Sequence, residues 1–158
     1  MKNIYIALEN IRSLFNIGAI FRTCSFFGVD KVILVGYSGK THNTKNEVVL
    51  HEEVKKASLG SESDLTLTML ETCDDLINFA KENKLKLIAI EQDSNSIKLG
   101  NWIPEDNCIL VFGNEVDGVD QAILKKSDQI IEIKRLGKHN SLNVTTACGI
   151  ILQKVTSK

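Results

Sequence analysis

The chain has 158 residues, of which 43% are hydrophobic and 25% are charged. These values are typical of one soluble globular domain, and a domain of this size can bury a core without disulfides or a structural metal. The 19 basic and 20 acidic side chains leave a net charge of −1, which excludes the general basic excess of many RNA-binding proteins, so any RNA binding must rest on a local patch.

The apolar pattern alternates between short strand-like runs and longer helix-like segments along the whole chain. In chain order, it predicts a strand at 4–8, a helix at 17–27 closed by Gly28, a strand at 31–35 ended by Gly36, a polar loop at 38–46, a helix at 48–56, a strand at 65–70, a helix at 72–83, strands at 85–90 and 108–112, a helix at 119–126, a strand at 129–133 and a helix at 142–155. The last helix is apolar almost all round, so we expect it to be buried, in part against a second subunit.

Apolar strands separated by helices indicate an α/β fold, with a mostly parallel sheet covered by helices on both faces. Residues 1–158 contain no Pro/Ser-rich linker, low-complexity tract or internal repeat, so we expect a single domain. Ligands of such sheets bind beyond the carboxyl ends of the strands. This rule points to the turns after Ile90, Phe112 and Ile133.

Cysteine usage and hydropathy predict a cytoplasmic protein without a membrane segment. Cys24, Cys73, Cys108 and Cys148 form no C-x-x-C pair and have no histidine at zinc-finger spacing. All but Cys73 lie in apolar runs, and we expect them to pack as reduced, small hydrophobic residues. The N-terminal residues lack the apolar stretch of a signal peptide, and no run approaches about 18 apolar residues.

The first segment that suggests chemistry is NIGAIFRT at residues 16–23. Asn16 can cap the helix that follows, and Gly18 allows another backbone to approach closely. Arg22 lies among apolar residues, where its stem can pack while its guanidinium reaches water. The segment alone leaves open whether Arg22 is functional.

The second segment is VFGNEVDG at residues 111–118, where a buried strand runs into Gly113. Glycine directly after a strand lets a ligand lie against the main chain, whose polar groups can bind an adenine edge or a ribose. An ordinary strand-to-helix turn, with Asp117 and Gly118 as turn residues, explains the same pattern.

The third segment covers residues 131–149 and contains Ser141 and Asn143 at the start of the last helix. Helix capping explains one of these polar side chains easily and the pair less well. Gly137 permits an irregular backbone just before them.

In this order and at these distances, the three segments resemble motifs 1, 2 and 3 of the SpoU/TrmH branch of the SPOUT methyltransferases. The family patterns are N-x-G-x-x-x-R-T, F-G-x-E-x-x-G and S-L-N-V-[ST]-x-A, and each occurs here, at 16–23, 112–118 and 141–147. KASLG at 56–60 is similar to a K-T-A-L-G element that lies between motifs 1 and 2. The match spans nearly the whole chain.

The resemblance implies an S-adenosylmethionine-dependent methyltransferase that modifies ribose 2′-oxygens in tRNA or ribosomal RNA. It also implies a deep C-terminal trefoil knot that forms the cofactor pocket, and a homodimer as the working unit. By motif position, the cofactor-binding residues would be Gly113, Ile133, Leu142, Ile90 and Gly118. The catalytic set around the methyl group and the target ribose would be Arg22, Asn16, Glu115, Ser141 and Asn143.

Arg22 is the expected centre of this set. Because the pKa of a guanidinium exceeds about 12, we expect Arg22 to hold a phosphate or to stabilise the developing 2′-oxyanion rather than to act as a simple base. Glu115 would orient Arg22 or Asn16, while Ser141 and Asn143 would fix the nucleotide.

The sequence departs from many relatives by carrying Ile-Lys-Arg, at residues 133–135, in place of Ile-Pro-Met. We expect the resulting basic patch to contact RNA phosphates through Lys134, Arg135 and Lys138. The compact length is similar to that of the minimal family members that modify the wobble position of tRNA, which favours tRNA over ribosomal RNA.

Other functions are less well supported. A knotted RNA-binding protein without transfer activity is disfavoured by the intact polar set. A generic nucleotide-binding domain is disfavoured because the chain lacks both G-x-G-x-x-G and the phosphate-loop pattern. A metal hydrolase, or any other metal site, is disfavoured because His42, His51 and His139 show no ligand spacing and are expected in surface or loop positions.

Overall fold

A parallel sheet with helices on both faces forms the framework of the molecule, and the computed structural model describes residues 3–157. The strands are β1 Ile4–Glu9, β2 Lys31–Val35, β3 Lys40–His42, β4 Val48–Leu50, β5 Thr66–Leu70, β6 Lys86–Ile90, β7 Ile97–Lys98, β8 Cys108–Phe112 and β9 Gln129–Glu132. The α-helices are α1 Leu14–Phe27, α2 Glu52–Ser58, α3 Cys73–Glu82, α4 Gln121–Lys126 and α5 Val144–Thr156. Short 3₁₀ turns occur at Ser61–Asp64 and Leu99–Asn101.

Seven parallel strands make up the main sheet, in the order β5-β2-β1-β8-β6-β9-β7. Strand β8 lies between β1 and β6, so that Ile6 of β1 is opposite Val32 of β2 on one side and Leu110 of β8 on the other. Because the strands are parallel, all their carboxyl ends lie along one edge. The prediction of an α/β fold with a mostly parallel sheet is confirmed.

The alternation of side chains along the strands divides the core into two layers. Ile6 and Leu8 of β1 belong to the layer that contains buried residues of α1 and α5. Ala7, between them, belongs to the opposite layer, which contains buried residues of α3 and α4. Each fully buried isoleucine, leucine or phenylalanine contributes about 1.5–3 kcal/mol to the free energy of folding. These two layers therefore hold the sheet, and with it the edge where the carboxyl ends of the strands lie, in place.

Helix α1 starts three residues earlier than its apolar stripe indicates. Its N-cap is Ser13, whose Oγ accepts a hydrogen bond from the Asn16 N–H at 3.2 Å. The prediction that Asn16 caps this helix is therefore wrong, because a half-exposed first turn precedes the stripe. The left-handed Gly28, with φ of 70°, closes the helix as predicted.

Gly18 is the point of closest approach between α1 and α2. A Cβ atom at this position would lie 2.5 Å from the Cβ of Ala57 and 2.8 Å from the backbone N of Ser58. The prediction that Gly18 admits another backbone is confirmed. The KASLG segment that supplies this contact includes the end of α2.

The region 38–56 differs most from the prediction. A short antiparallel hairpin pairs β3 with β4, so that Thr41 lies opposite Val49. Only the second part of the predicted helix forms, as α2, which is capped by His51 through its Nδ1 and the Glu53 N–H at 3.1 Å. The two-residue strand β7 was not predicted, and the remaining predicted elements occur with ends shifted by a few residues.

The cysteines pack as expected, since all four are free thiols and Cys24, Cys108 and Cys148 are buried. Among the described residues, no helix is both long enough and apolar enough to cross a bilayer.

Candidate active site

Three turns at the carboxyl edge of the sheet are held against one another. Glu91 follows β6, and its Oε2 accepts a hydrogen bond at 3.1 Å from the N–H of Val119, in the segment after β8. The side-chain amide of Gln92 donates to the carbonyl of Asn140 at 3.0 Å, in the loop after β9. The turns that were predicted from the ends of these strands therefore meet at one place.

The turn at residues 113–119 is closed on itself. A Cβ atom at Gly113 would lie 2.3 Å from the backbone N of Val119, and one at Gly118 would lie 2.3 Å from Oε2 of Glu91. Gly118 also adopts a left-handed conformation, with φ of 74°. Protein packing thus explains both glycines, a reason different from the ligand space that the sequence suggested. A cofactor contact at either glycine stays a prediction.

Glu115 joins this turn to the start of α1. Its carboxylate accepts hydrogen bonds from the N–H of Arg12 at 3.0 Å, the N–H of Ser13 at 3.2 Å and the side-chain amide of Asn16 at 3.2 Å. Partial burial opposes ionisation, but these hydrogen bonds outweigh it and lower the pKa of Glu115. We call this arrangement the Glu115 clamp. It brings the first and second motifs together with an ionised carboxylate between them.

Arg22 lies apart from the Glu115 clamp. Its exposed side chain lines a surface depression on α1, together with Thr145 and Thr146 in the first turn of α5. Within residues 3–157, its guanidinium makes no hydrogen bond or ion pair. The structure thus brings Arg22 beside the third motif. Of the two partners expected for Glu115, Asn16 makes the contact and Arg22 does not.

The third motif forms the entry to α5. Asn143 is the N-cap, and its Oδ1 accepts from the Thr145 N–H at 2.8 Å. Ser141 is exposed, and its backbone contacts the ring of His139. Capping therefore accounts for Asn143, in line with the expectation that it explains one residue of the pair. It leaves the Ser141 hydroxyl open to solvent. Leu142, between them, is 49% exposed.

The basic patch of Lys134, Arg135 and Lys138 is exposed. Arg135 donates from Nη1 to the side-chain oxygen of Asn140 at 3.1 Å, which ties one of its members to the same loop. Ile90 and Ile133, at the ends of the neighbouring strands, are partly buried and pack against the core. The patch thus lies directly beside the meeting point of the three turns.

The sequence analysis missed three polar residues of this edge: Glu9, Glu91 and Asn114. Glu9 ends β1, Glu91 directly follows β6, and Asn114 lies two residues after β8, and this position at the end of an apolar strand was the available signal. Glu9 is 2% exposed, and its Oε2 has no hydrogen-bond partner in the described chain. Burial therefore raises the pKa of Glu9. Burial and the nearby Glu9 also raise the pKa of the Cys73 thiol to about 11, which keeps it unreactive.

Comparison with known proteins agrees with these motifs. A family model described as the SpoU rRNA Methylase family matches residues 3–153. The chain belongs to this family.

Individual relatives place the match in context. The chain is 33% identical over 154 residues to an uncharacterized tRNA/rRNA methyltransferase of Mycoplasma genitalium, covering 93% of this chain and 58% of that protein. It is 29% identical over 147 residues to the tRNA (guanosine(18)-2′-O)-methyltransferase of Saccharomyces cerevisiae, covering 89% of this chain and 9% of that protein. The chain therefore spans less than two thirds of the length of either relative.

A solved structure shares the fold. The SpoU methyltransferase AviRb from Streptomyces viridochromogenes, crystallised in complex with the cofactor AdoMet, aligns with a TM-score of 0.84 at 18% identity. The alignment covers 99% of this chain and 60% of that one.

Proposed function

We propose that this chain is an S-adenosylmethionine-dependent RNA methyltransferase that modifies a ribose 2′-hydroxyl, with tRNA favoured over ribosomal RNA. The observation that carries the proposal is the Glu115 clamp, because the 3.2 Å hydrogen bond between Glu115 and Asn16 unites two motifs at the edge where parallel sheets bind ligands. Family membership supports the reaction class. The named activity of the yeast relative supports ribose methylation of tRNA.

The residues at this edge fit S-adenosylmethionine. Within the described chain, residues 134–142 make no backbone–backbone hydrogen bond. Side chains engage the Asn140 carbonyl and the Ser141 backbone, and the other N–H and C=O groups of this segment can bind the polar edges of a cofactor. The exposed side chains of Leu136 and Leu142 offer apolar surface for an adenine ring. When bound, the cofactor supplies a methyl group on a sulfonium, which is a good leaving group without a metal. We assign its binding, mainly through backbone groups, to Gly113, Ile133 and Leu142, with Ile90 and Gly118 beside them.

The protein contributes mainly alignment, which can lower a barrier by up to about 7–11 kcal/mol. Glu115 holds the start of α1 and orients the Asn16 amide, while Ser141 and Asn143 fix the target nucleotide. Arg22 is a permanent cation, and it holds a phosphate or stabilises the developing 2′-oxyanion. The exposed basic patch binds RNA phosphates next to the site.

A homodimer gives Arg22 a structural context. Phe15, Arg22 and Phe26 follow one another at helical spacing along α1, and all three are exposed, the two phenylalanines by 73% and 84%. Ile150 of the neighbouring α5 is also exposed, by 38%, on the helix that was expected to be buried in part against a second subunit. Exposed apolar side chains grouped in this way, here around Arg22, are typical of an interface. We propose that a second copy of the chain covers this exposed surface. We also propose that the C-terminal segment forms the trefoil knot and that the protein acts in the cytoplasm.

Two measurements test the function. Mapping 2′-O-methyl positions in RNA from cells with and without the protein should reveal a site that depends on it. Calorimetry with S-adenosylmethionine should show binding by the purified protein, and transfer of a labelled methyl group to tRNA should follow. A protein that binds RNA but neither binds the cofactor nor changes the methylation map would be the silent RNA-binding alternative, and a site in ribosomal RNA would correct the substrate.

A further inference from the structure

Asn114, which precedes Glu115, is bonded at both ends of its side-chain amide. Its Nδ2 donates to the carbonyl of Asn10 at 2.8 Å and to the hydroxyl of Tyr37 at 2.7 Å. Its Oδ1 accepts from the N–H groups of Val116 at 2.8 Å and Asp117 at 3.1 Å. Two donors and two acceptor sites are the full capacity of a carboxamide. The side chain is also 9% exposed, so these four bonds are shielded from water.

The partners of Asn114 belong to three different turns. Asn10 follows β1, Tyr37 follows β2, and Val116 and Asp117 lie in the turn after β8. Asn10 is itself constrained, because it has φ of 50° and its Oδ1 accepts from the Tyr37 N–H at 3.3 Å. A single side chain thus fixes the relative position of three strand ends.

The position of Glu115 depends on both segments that Asn114 connects, the turn after β8 and the segment after β1. The carboxylate extends from the turn that the Oδ1 of Asn114 holds, and it binds the N–H groups of Arg12 and Ser13. Those N–H groups lie two and three residues after Asn10, whose carbonyl the Nδ2 of Asn114 holds. Asn114 therefore sets the distance that the Glu115 clamp has to span.

We infer that Asn114 is a positioning residue that acts through Glu115, with Tyr37 as its second anchor, and that it does not itself touch the substrate. The inference deepens the proposed function, on which its activity readout rests. Asn114 positions Glu115 through four neutral hydrogen bonds rather than through charge.

A double-mutant cycle tests the inference. Asn114→Ala should reduce the kcat of methyl transfer about tenfold or more, since a buried polar connection is removed. In a Glu115→Gln background the same change should have almost no further effect, because the two residues act on one step. Losses that multiply in the double variant would overturn the inference, as would an Asn114→Ala enzyme with the wild-type kcat.

A second readout does not need activity. Carbon-detected NMR titration should show the pKa of Glu115 rising toward its ordinary value in Asn114→Ala, because the hydrogen bonds from Arg12 and Ser13 loosen. An unchanged pKa would overturn the inference even if the protein proved to have another function, and absence of methyl transfer by the wild-type chain would count against the proposed function alone.

Two further variants complete the design. Tyr37→Phe removes one anchor from a half-exposed residue, so it should shift both readouts in the same direction by less, and it decides the question if Asn114→Ala does not fold. Asn83→Ala is the matched control, because Asn83 donates to the Phe79 carbonyl at 2.8 Å at the far end of α3. Its kcat and its Glu115 pKa should equal those of the wild type.

Discussion

Replacing Gly18 with alanine tests the packing that fixes α1 against α2. The added Cβ would start 2.5 Å from the Cβ of Ala57 and 2.8 Å from the backbone N of Ser58. Carbon atoms pack at about 3.5–4.0 Å, so α2 would have to move away by about 1 Å. Overpacking costs about 1–3 kcal/mol, and a backbone obstacle favours the upper end. The better helix propensity of alanine returns about 1 kcal/mol. We expect a net loss of about 2 kcal/mol.

Thermal unfolding followed by far-ultraviolet circular dichroism measures this loss. For a chain of this size, about 2 kcal/mol corresponds to a decrease in Tm of about 4–8 °C. Gly100→Ala is the matched control, since a Cβ atom at Gly100 would meet nothing within 4 Å, and its Tm should change little. A Gly18→Ala protein that unfolds at the wild-type temperature would refute the argument from close approach.

The remaining predictions concern charge. Arg22→Ala should lower the kcat of methyl transfer by about 100- to 1,000-fold if the guanidinium stabilises the transition state, and Arg22→Lys should restore little, because lysine lacks the planar fork. Glu9→Gln should stabilise the fold more at neutral than at acid pH. Because the pKa of Glu9 is raised in the folded protein, the wild type has its full stability below the ordinary carboxyl pKa and loses stability as the pH rises through the pKa of the folded state. Replacing the basic patch with neutral residues should reduce the slope of log K for RNA against log salt by about 2–3, or about 0.7–0.9 for each phosphate that the protein no longer neutralises.

Each of these has a clear opposite outcome. Full activity of either Arg22 variant removes it from the centre of the site. A stability difference between Glu9→Gln and wild type that stays constant from acid to neutral pH contradicts the burial argument. For the basic patch, a charge-matched control replaces three exposed lysines near the amino edge of the sheet, Lys84, Lys125 and Lys126. Equal salt slopes for the two triple variants would show that the patch does not bind phosphates.

The local apolar pattern of the sequence was sufficient to predict most of the strands and helices. Strand β8 is apolar throughout and β2 is apolar after Lys31, and both begin and end where the sequence predicts. The hairpin of β3 and β4 was missed because VVLHEEVKK has apolar residues at helical spacing, and only the pairing with residues 40–42 decides in favour of a strand. Strand β7 has two exposed residues and leaves no pattern to detect.

The site could be predicted by residue type but not by contact. The bond between Glu115 and Asn16 exists because β8 pairs with β1, a neighbourhood that no local signal encodes. For the same reason, motif order left open whether Glu115 would contact Arg22 or Asn16, and the structure shows the contact with Asn16. Glu9 carried a usable signal, since alternation places it on the same face of β1 as Ala7, which is in the core.

The late position of β8 in the chain has a consequence for biosynthesis. Ile4 of β1 and Lys86 of β6 both pair with Cys108, so the middle of the sheet stays open until the ribosome has released that strand. Until then two apolar strand edges face solvent, and a nascent chain of this kind is exposed to aggregation. Pairing over such long sequence separations is also slow, so newly made copies should depend on chaperones more than helical proteins of equal length.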